Sequence, residues 1–231
     1  MDRRETDTAL SRMQNALRIA INKGSESPEN LLGAEETTRV YSKWAANYEA
    51  DCITLGWRAP HELLACVEVC LPVRCAEHVL DIGCGTGLIC QQLRAKGYTA
   101  ECFGFDLCSE MLAVAEARGV YHSLRIHSLL NFPWPYTSSS FDLLVCNGVL
   151  RYTVSGGSGI MEEMVRLSRP GAYIVFQVLD ISWPAYISAA EKLEKAGLWR
   201  FVKVSEAFDN FTSICEDEAA NGVARIRVYQ R

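Results

Sequence analysis

No run of apolar residues approaches the length a membrane-spanning helix needs, and the chain has no basic excess. Its 23 Lys and Arg stand against 28 Asp and Glu, a formal net charge of −5. The first absence excludes a helical membrane span. The second disfavours a nucleic-acid partner, because non-specific binding to phosphates rests on Lys and Arg. The opening segment MDRRETDTALSRMQNALRIA lacks the apolar core and cleavage site of a secretory leader, so the expectation is a cytoplasmic protein with no membrane partner. No C-x-x-C pair occurs among the ten cysteines. Without ligand spacing, no metal is expected. Cys66, Cys70, Cys90, Cys102 and Cys146 fall inside apolar helix or strand patterns, where free cysteine acts as a small buried hydrophobe. Histidine is scarce, and His61, His78, His122 and His127 have no evident acid–base partner.

What is present is 231 residues, 49% of them hydrophobic, enough for one substantial core. Leu10, Met13, Leu17 and Ala20 form a helical stripe over 8–22, followed by the polar Gly/Ser/Pro segment 22–33. The reading is therefore an N-terminal helix and linker, 1–33, and a domain, 34–231; whether the first helix docks is left open. Val40, Tyr41, Trp44, Ala45 and Tyr48 share one face of a second helix, and Pro60 opens a third over 61–71. From there strands (78–82, 100–105, 124–128, 141–147, 172–179) alternate with helices (88–96, 109–118, 160–168, 184–196), with Arg169-Pro170-Gly171 as a turn. Two strands, 201–207 and 224–230, close the chain with no helix between them. This order predicts an α/β, Rossmann-like, seven-stranded and mostly parallel sheet with helices on both faces, a C-terminal antiparallel hairpin and added N-terminal helices.

Gly83, Gly85 and Gly87 sit between the first strand and its helix, where a tight turn and a helix N-terminus make a ligand crevice. A dinucleotide fingerprint needs a further glycine at 88, which is Leu88, so a nicotinamide enzyme is the weaker reading. Asp81, just before the loop, suits a ligand carrying an ammonium and a sulfonium better than a pyrophosphate; alternatively the loop's own N–H groups satisfy it. Asp106 ends the second strand with two oxygens able to accept from vicinal ribose hydroxyls; alternatively it caps the next helix.

The runs V-L-D-I-G-C-G-T-G, G-F-D-L-C-S-E-M-L, S-F-D-L-L-V-C-N-G-V-L and R-P-G together resemble class I S-adenosylmethionine-dependent methyltransferases over residues 78 to about 180. The run from Tyr41 to Tyr48, Trp57-Arg58-Ala59-Pro60 and Ala117 to Tyr121 look like the Williams–Beuren-region methyltransferase-like proteins. The resemblance implies S-adenosyl-L-methionine as cofactor. It implies that Gly83, Cys84, Gly85 and Gly87 line the methionine part, that Asp106 holds the ribose, and that Leu107 and Met111 pack near the adenine. Asn147 and Gly148 would face the transferred methyl group, with Tyr41 and Tyr48 on a helix over the cofactor; core packing is the alternative for that aromatic face. If the face is a lid, removing 1–33 should leave cofactor affinity nearly intact and removing 1–50 should weaken it.

The match departs from the family after the third strand, where His127-Ser128-Leu129-Leu130-Asn131 offers no carboxylate for the adenine amino group. Ser128 with the Leu129 backbone, or Asn131, must substitute. Asn147-Gly148-Val149-Leu150 also lacks the Asn/Asp-Pro-Pro-aromatic run of enzymes that methylate nucleobase amines. The expected activity is methyl transfer to an unidentified acceptor, with a small molecule favoured. A non-catalytic S-adenosylmethionine-binding or scaffold protein is the alternative. Tyr152 and Asp180, with Tyr48, are the candidates for a base; oligomeric state is not legible.

Overall fold

Apolar runs such as Leu143–Cys146 and Tyr173–Phe176 become central strands because both faces of the sheet are covered. The computed structural model describes residues 3–21, 34–73, 75–153, 157–212 and 222–231. β1 (His78–Ile82), β2 (Glu101–Asp106), β3 (Tyr121–Ile126), β4 (Phe141–Cys146) and β5 (Ser168–Leu179) are parallel, in the order β3-β2-β1-β4-β5. β8 (Val223–Gln230) lies antiparallel between β5 and β6 (Arg200–Val204), and a two-residue strand, β7 (Phe208–Asp209), pairs with the far end of β8. The order reverses direction between β1 and β4, which opens a crevice at their C-terminal ends.

Alternation along β1 sends Val79 to one face and Leu80 to the other. Val79, Leu143, Val145 and Val175 pack under α4 (Ala59–Cys70) and α5 (Leu88–Ala95). Leu80, Ile82, Leu144 and Phe176 pack under α7 (Gly157–Leu167) and α8 (Pro184–Lys195). α6 (Ser109–Ala117) leans on β2 and β3.

Two expectations shift. β3 starts at Tyr121 rather than Leu124, directly after Gly119 ends the helical turn. Tyr121 pairs with Cys102 and its hydroxyl reaches Asp81, so a buried polar contact recruits these residues where apolar periodicity did not. Arg169-Pro170-Gly171 lies inside β5 rather than before it: Ser168 already pairs with Phe141, and a register shift before Leu143 absorbs the extra residues.

The N-terminal helices are α1 (Arg3–Ile21), α2 (Ala34–Trp44) and α3 (Tyr48–Thr54). The expected second helix is thus two, with a turn at 45–47 and Tyr48 opening α3. The linker proper, 22–33, falls outside the described residues. α1 docks on its neighbours: Ala9 and Met13 are buried in one cluster with Val40, Trp44, Cys52, Leu55 and Phe211. Arg12 forks onto Asp51 (Nε–Oδ2 2.7 Å, Nη2–Oδ1 2.6 Å), and Trp44 Nε1 donates to Oδ2 of the same carboxylate at 2.7 Å. Among the described residues no helix is long and apolar enough to cross a membrane.

Candidate functional site

The loop 83–87 leaves β1 with Gly83 at φ +65°, and a Cβ there would stand 2.6 Å from the Val149 side chain. Only glycine lets this loop and the loop after β4 approach so closely. Asp106, at the end of β2, ties the first loop to the next helix. Its Oδ2 accepts from Gly85 N and its Oδ1 from Cys108 N, each at 2.9 Å. Burial raises the Asp106 pKa, while the N–H groups of Cys108 and Gly85 pull it back. Each oxygen retains a further lone pair, so these loop bonds and ribose binding are compatible.

These loops floor a cavity of about 870 Å³ including its open mouth. Gly83 and Gly85 line the floor, Asp106, Leu107 and Met111 one wall, Ser128 and Leu129 one end, and Asn147 and Gly148 the other. Tyr41 and Tyr48 roof it. Eleven residues expected from the sequence therefore share one cavity. Asn147 is 9% exposed, and its Oδ1 is buried without a hydrogen-bond partner. An orphaned acceptor of this kind costs about 1–3 kcal/mol, which a donor on a ligand would recover.

Three expected residues are not in the lining. Asp81 is 2% exposed and lies beneath the loop, where Tyr121 Oη donates to its Oδ2 at 2.8 Å. Burial pushes its pKa up to about 7 against the hydrogen bonds from Tyr121 and Cys90. The sequence offered no sign of this bond to Tyr121. Cys84 is buried on the same side. Gly87, at φ +83°, would drive a Cβ to 2.8 Å from the Tyr121 ring, so close packing there requires glycine. Asn131 is also absent from the lining, and its carbonyl bonds His127 Nε2 at 2.7 Å. Leu130 takes a place beside Ser128 and Leu129 instead.

Of the candidate bases, Asp180 lines neither this cavity nor its neighbour. It pairs with Arg225, both carboxylate oxygens 3.2 Å from Nε, at the end of β5. Tyr152 belongs to a single 3-10 turn, Leu150–Tyr152, and its side chain lies outside the described residues. The neighbouring Thr153 lines the cavity.

A second cavity, about 460 Å³ with its mouth, shares Tyr41, Tyr48 and Gly148 with the first. Trp44, Trp57 and Phe211 add aromatic walls, and Arg151, Gln177 and Asn210 add polar groups. Trp57 Nε1 donates to Asn210 Oδ1 at 3.2 Å, and Gly148 N donates to Gln177 Oε1 at 3.0 Å. Sequence reasoning passed over Arg151, Gln177, Asn210 and Phe211, although Gln177 was visible: it interrupts the apolar run Tyr173–Leu179, and a polar group buried there needs a partner.

The roof is fastened at two points. Ser42 Oγ donates to Glu110 Oε2 at 2.7 Å, joining α2 to α6. Glu49 of α3 accepts from Thr86 Oγ1 and Arg118 Nη2, and Arg118 Nε donates to the Thr86 carbonyl at 2.6 Å.

Residues 80–176 match the family model described as a methyltransferase domain. Human Methyltransferase-like protein 27 is 30% identical over 165 residues, which are 69% of this chain and 66% of that protein. The ubiquinone biosynthesis O-methyltransferase of Burkholderia vietnamiensis is 24% identical, over 62% of this chain and 57% of that enzyme. The chain thus covers less than two thirds of these relatives. Among solved structures, an S-adenosylmethionine-dependent methyltransferase of Thermotoga maritima superposes with TM-score 0.56 at 18% identity, covering 84% of this chain and 98% of that one. The [4+2]-cyclase SpnF superposes with TM-score 0.64 at 15% identity, covering 86% and 96%. These two show the fold alone, and they show that the fold hosts more than one chemistry.

Proposed function

We propose that this chain is a class I S-adenosylmethionine-dependent methyltransferase that transfers a methyl group from S-adenosylmethionine to a small molecule in the cytoplasm. When bound, the cofactor supplies an electrophilic methyl group on a sulfonium. The observation that carries the reading is the orphaned, buried Oδ1 of Asn147 in the cavity wall. It would accept from the methionine ammonium, with Gly83 and Gly85 beside it. At the other wall Asp106 would accept from the ribose hydroxyls. Leu107, Met111 and Leu129 would hold the adenine between apolar surfaces, and the Ser128 hydroxyl or the Leu129 backbone would meet its amino group.

The α2–α3 roof supports a lid reading for the start of the 34–231 domain. Water excluded from the reacting groups strengthens every charge interaction between them. The acidic balance of the chain argues against a nucleic acid. Seven of nine described cysteines are buried and all nine are free thiols, which suits a reducing compartment.

Ligand-induced thermal shift tests the reading. S-adenosylmethionine and S-adenosylhomocysteine should each raise the melting temperature, and NAD should leave it unchanged. A shift with NAD alone would overturn the assignment.

A further inference from the structure

The dipeptide Asn147-Gly148, just past the end of β4, treats its two polar groups in opposite ways. The Asn147 side-chain oxygen is buried and has no hydrogen-bond partner. The Gly148 N–H, next along the chain, donates to Gln177 Oε1 at 3.0 Å. Gln177 comes from β5, the strand beside β4, and its backbone pairs with Ile226 inside the β5–β8 ladder. Its side chain is buried, and its neighbours on the same strand face, Val175 and Leu179, belong to the apolar core. A leucine at 177 would continue that apolar face and offer the Gly148 N–H no acceptor. A peptide group is planar, so the bond to Gly148 N also fixes the Asn147 carbonyl and the backbone that carries the Asn147 side chain. Gly148 needs such a tie, because at φ +74° it holds a conformation that glycine enters and leaves freely. The Trp57 ring closes the other side, 3.1 Å from where a Gly148 Cβ would stand.

We infer that Gln177 is a positioning residue: by holding the peptide between Asn147 and Gly148 it keeps the Asn147 oxygen aimed at the ammonium of the cofactor's methionine half. The inference rests on the methyltransferase reading and adds a residue that lines the second cavity and not the first. Acting through Asn147 gives Gln177 a signature that general packing lacks. Its influence falls on the amino-acid end of the ligand, where Asn147 lies, and spares the nucleoside end beside Asp106, Leu107 and Leu129. It vanishes once Asn147 has no side-chain oxygen, since two residues acting through one contact are not additive. What Gln177 supplies is an acceptor oxygen, so glutamate can stand in for it and methionine cannot.

The test uses the full chain and two probes, S-adenosylhomocysteine and methylthioadenosine, the second of which keeps the nucleoside and the thioether but has no amino acid. Calorimetry on the unaltered chain comes first. If S-adenosylhomocysteine does not bind, the methyltransferase reading fails and the inference with it. The unaltered chain should prefer S-adenosylhomocysteine by about tenfold or more. Gln177→Met should cut the affinity for S-adenosylhomocysteine about fivefold or more and change that for methylthioadenosine by less than twofold, which also reports that the variant is folded. Gln177→Glu should recover most of the loss. With Asn147→Ala already in place, Gln177→Met should lower the affinity for S-adenosylhomocysteine by less than a further twofold. If Gln177→Met does not fold, Gln177→Asn, whose side chain is one methylene shorter, takes its place in the same comparisons. An equal loss for both probes, no recovery with Gln177→Glu, full additivity with Asn147→Ala, or an unchanged affinity for S-adenosylhomocysteine in folded Gln177→Met would each overturn the inference while leaving the cofactor assignment intact.

Discussion

Asp106 joins two backbone N–H groups that belong to different loops, so its loss has two effects at once. Asp106→Ala should lower stability by about 1–2 kcal/mol, the loss of two side-chain-to-backbone hydrogen bonds. It should weaken S-adenosylhomocysteine binding by roughly 2–4 kcal/mol, since bonds to a charged acceptor are each about 1.5–3 and partly non-additive. Denaturant unfolding and calorimetry on the same sample separate the two, and an unchanged affinity in a folded mutant would leave Asp106 a tie between loops alone. Asp81 makes a different prediction. Its pKa, about 7 when folded, lies above the ordinary 3.8, so the folded state holds its proton more tightly than the unfolded chain. The contribution is fully present below pH 4 and is lost as pH rises toward 7, by up to about 1.4 kcal/mol per pH unit. Asp81→Asn keeps an acceptor for the Tyr121 hydroxyl and cannot ionise. Urea unfolding between pH 4 and 8 should therefore lose this downward component in the variant. An identical slope in both proteins would mean that Asp81 is ionised throughout.

At the scale of elements, the fastening of α3 to the glycine loop carries the next prediction. Arg118→Met removes the donors to Glu49 and to the Thr86 carbonyl. The roof should then open more readily, and dissociation of S-adenosylhomocysteine should speed up about tenfold, the equivalent of one hydrogen bond's ~1.4 kcal/mol. Stopped-flow tryptophan fluorescence reads this directly, and an unchanged rate would show that the roof does not gate exit. The elements themselves were largely legible. β1, β4 and β5 are apolar runs covered on both faces, and Gly83, Gly85, Asp106 and Asn147 are punctuated by their own strand ends. The early start of β3 was not legible, because Tyr121 earns its place through one hydrogen bond to a residue far away in sequence. The break before Tyr48 was hidden as well, since Trp44 and Tyr48 keep helical spacing across a turn. Nor could any local pattern place Trp57, Gln177 and Asn210 around one space, because they come from three separate parts of the chain.

At the scale of the molecule, α1 is not a detachable appendage. Deleting 1–33 removes Met13 from the cluster around Trp44 and takes Arg12 from the buried Asp51. Because Arg12 is itself 42% exposed, the pair is worth less than a fully buried one. The carboxylate left behind keeps the Trp44 donor but loses its ion pair. The deletion should therefore cost roughly 2–3 kcal/mol of stability and, by loosening Trp44 and Tyr48, should weaken cofactor binding as well. This replaces the expectation, drawn from the polar linker, that affinity survives the deletion. Parallel melting and calorimetry on full-length and 34–231 chains check it, and equal affinity in a folded 34–231 chain would restore that expectation.

The place of β8 between β5 and β6 bears on how the chain is made. On the ribosome β5 emerges with its apolar run Tyr173–Leu179, and the strand that will cover its outer edge is among the later segments to follow. Phe211, which completes the cluster of α1, α2 and α3, is late too, and Arg58 N and Thr212 N bond across to Asn210 and Gly56 only once that stretch arrives. A nascent chain therefore carries an open strand edge from the emergence of β5 until β8 follows, with the roof still unclosed, the state in which stray pairing and aggregation are greatest. Slow decoding after β5 should prolong that exposure, whereas the same delay before β1 should be harmless.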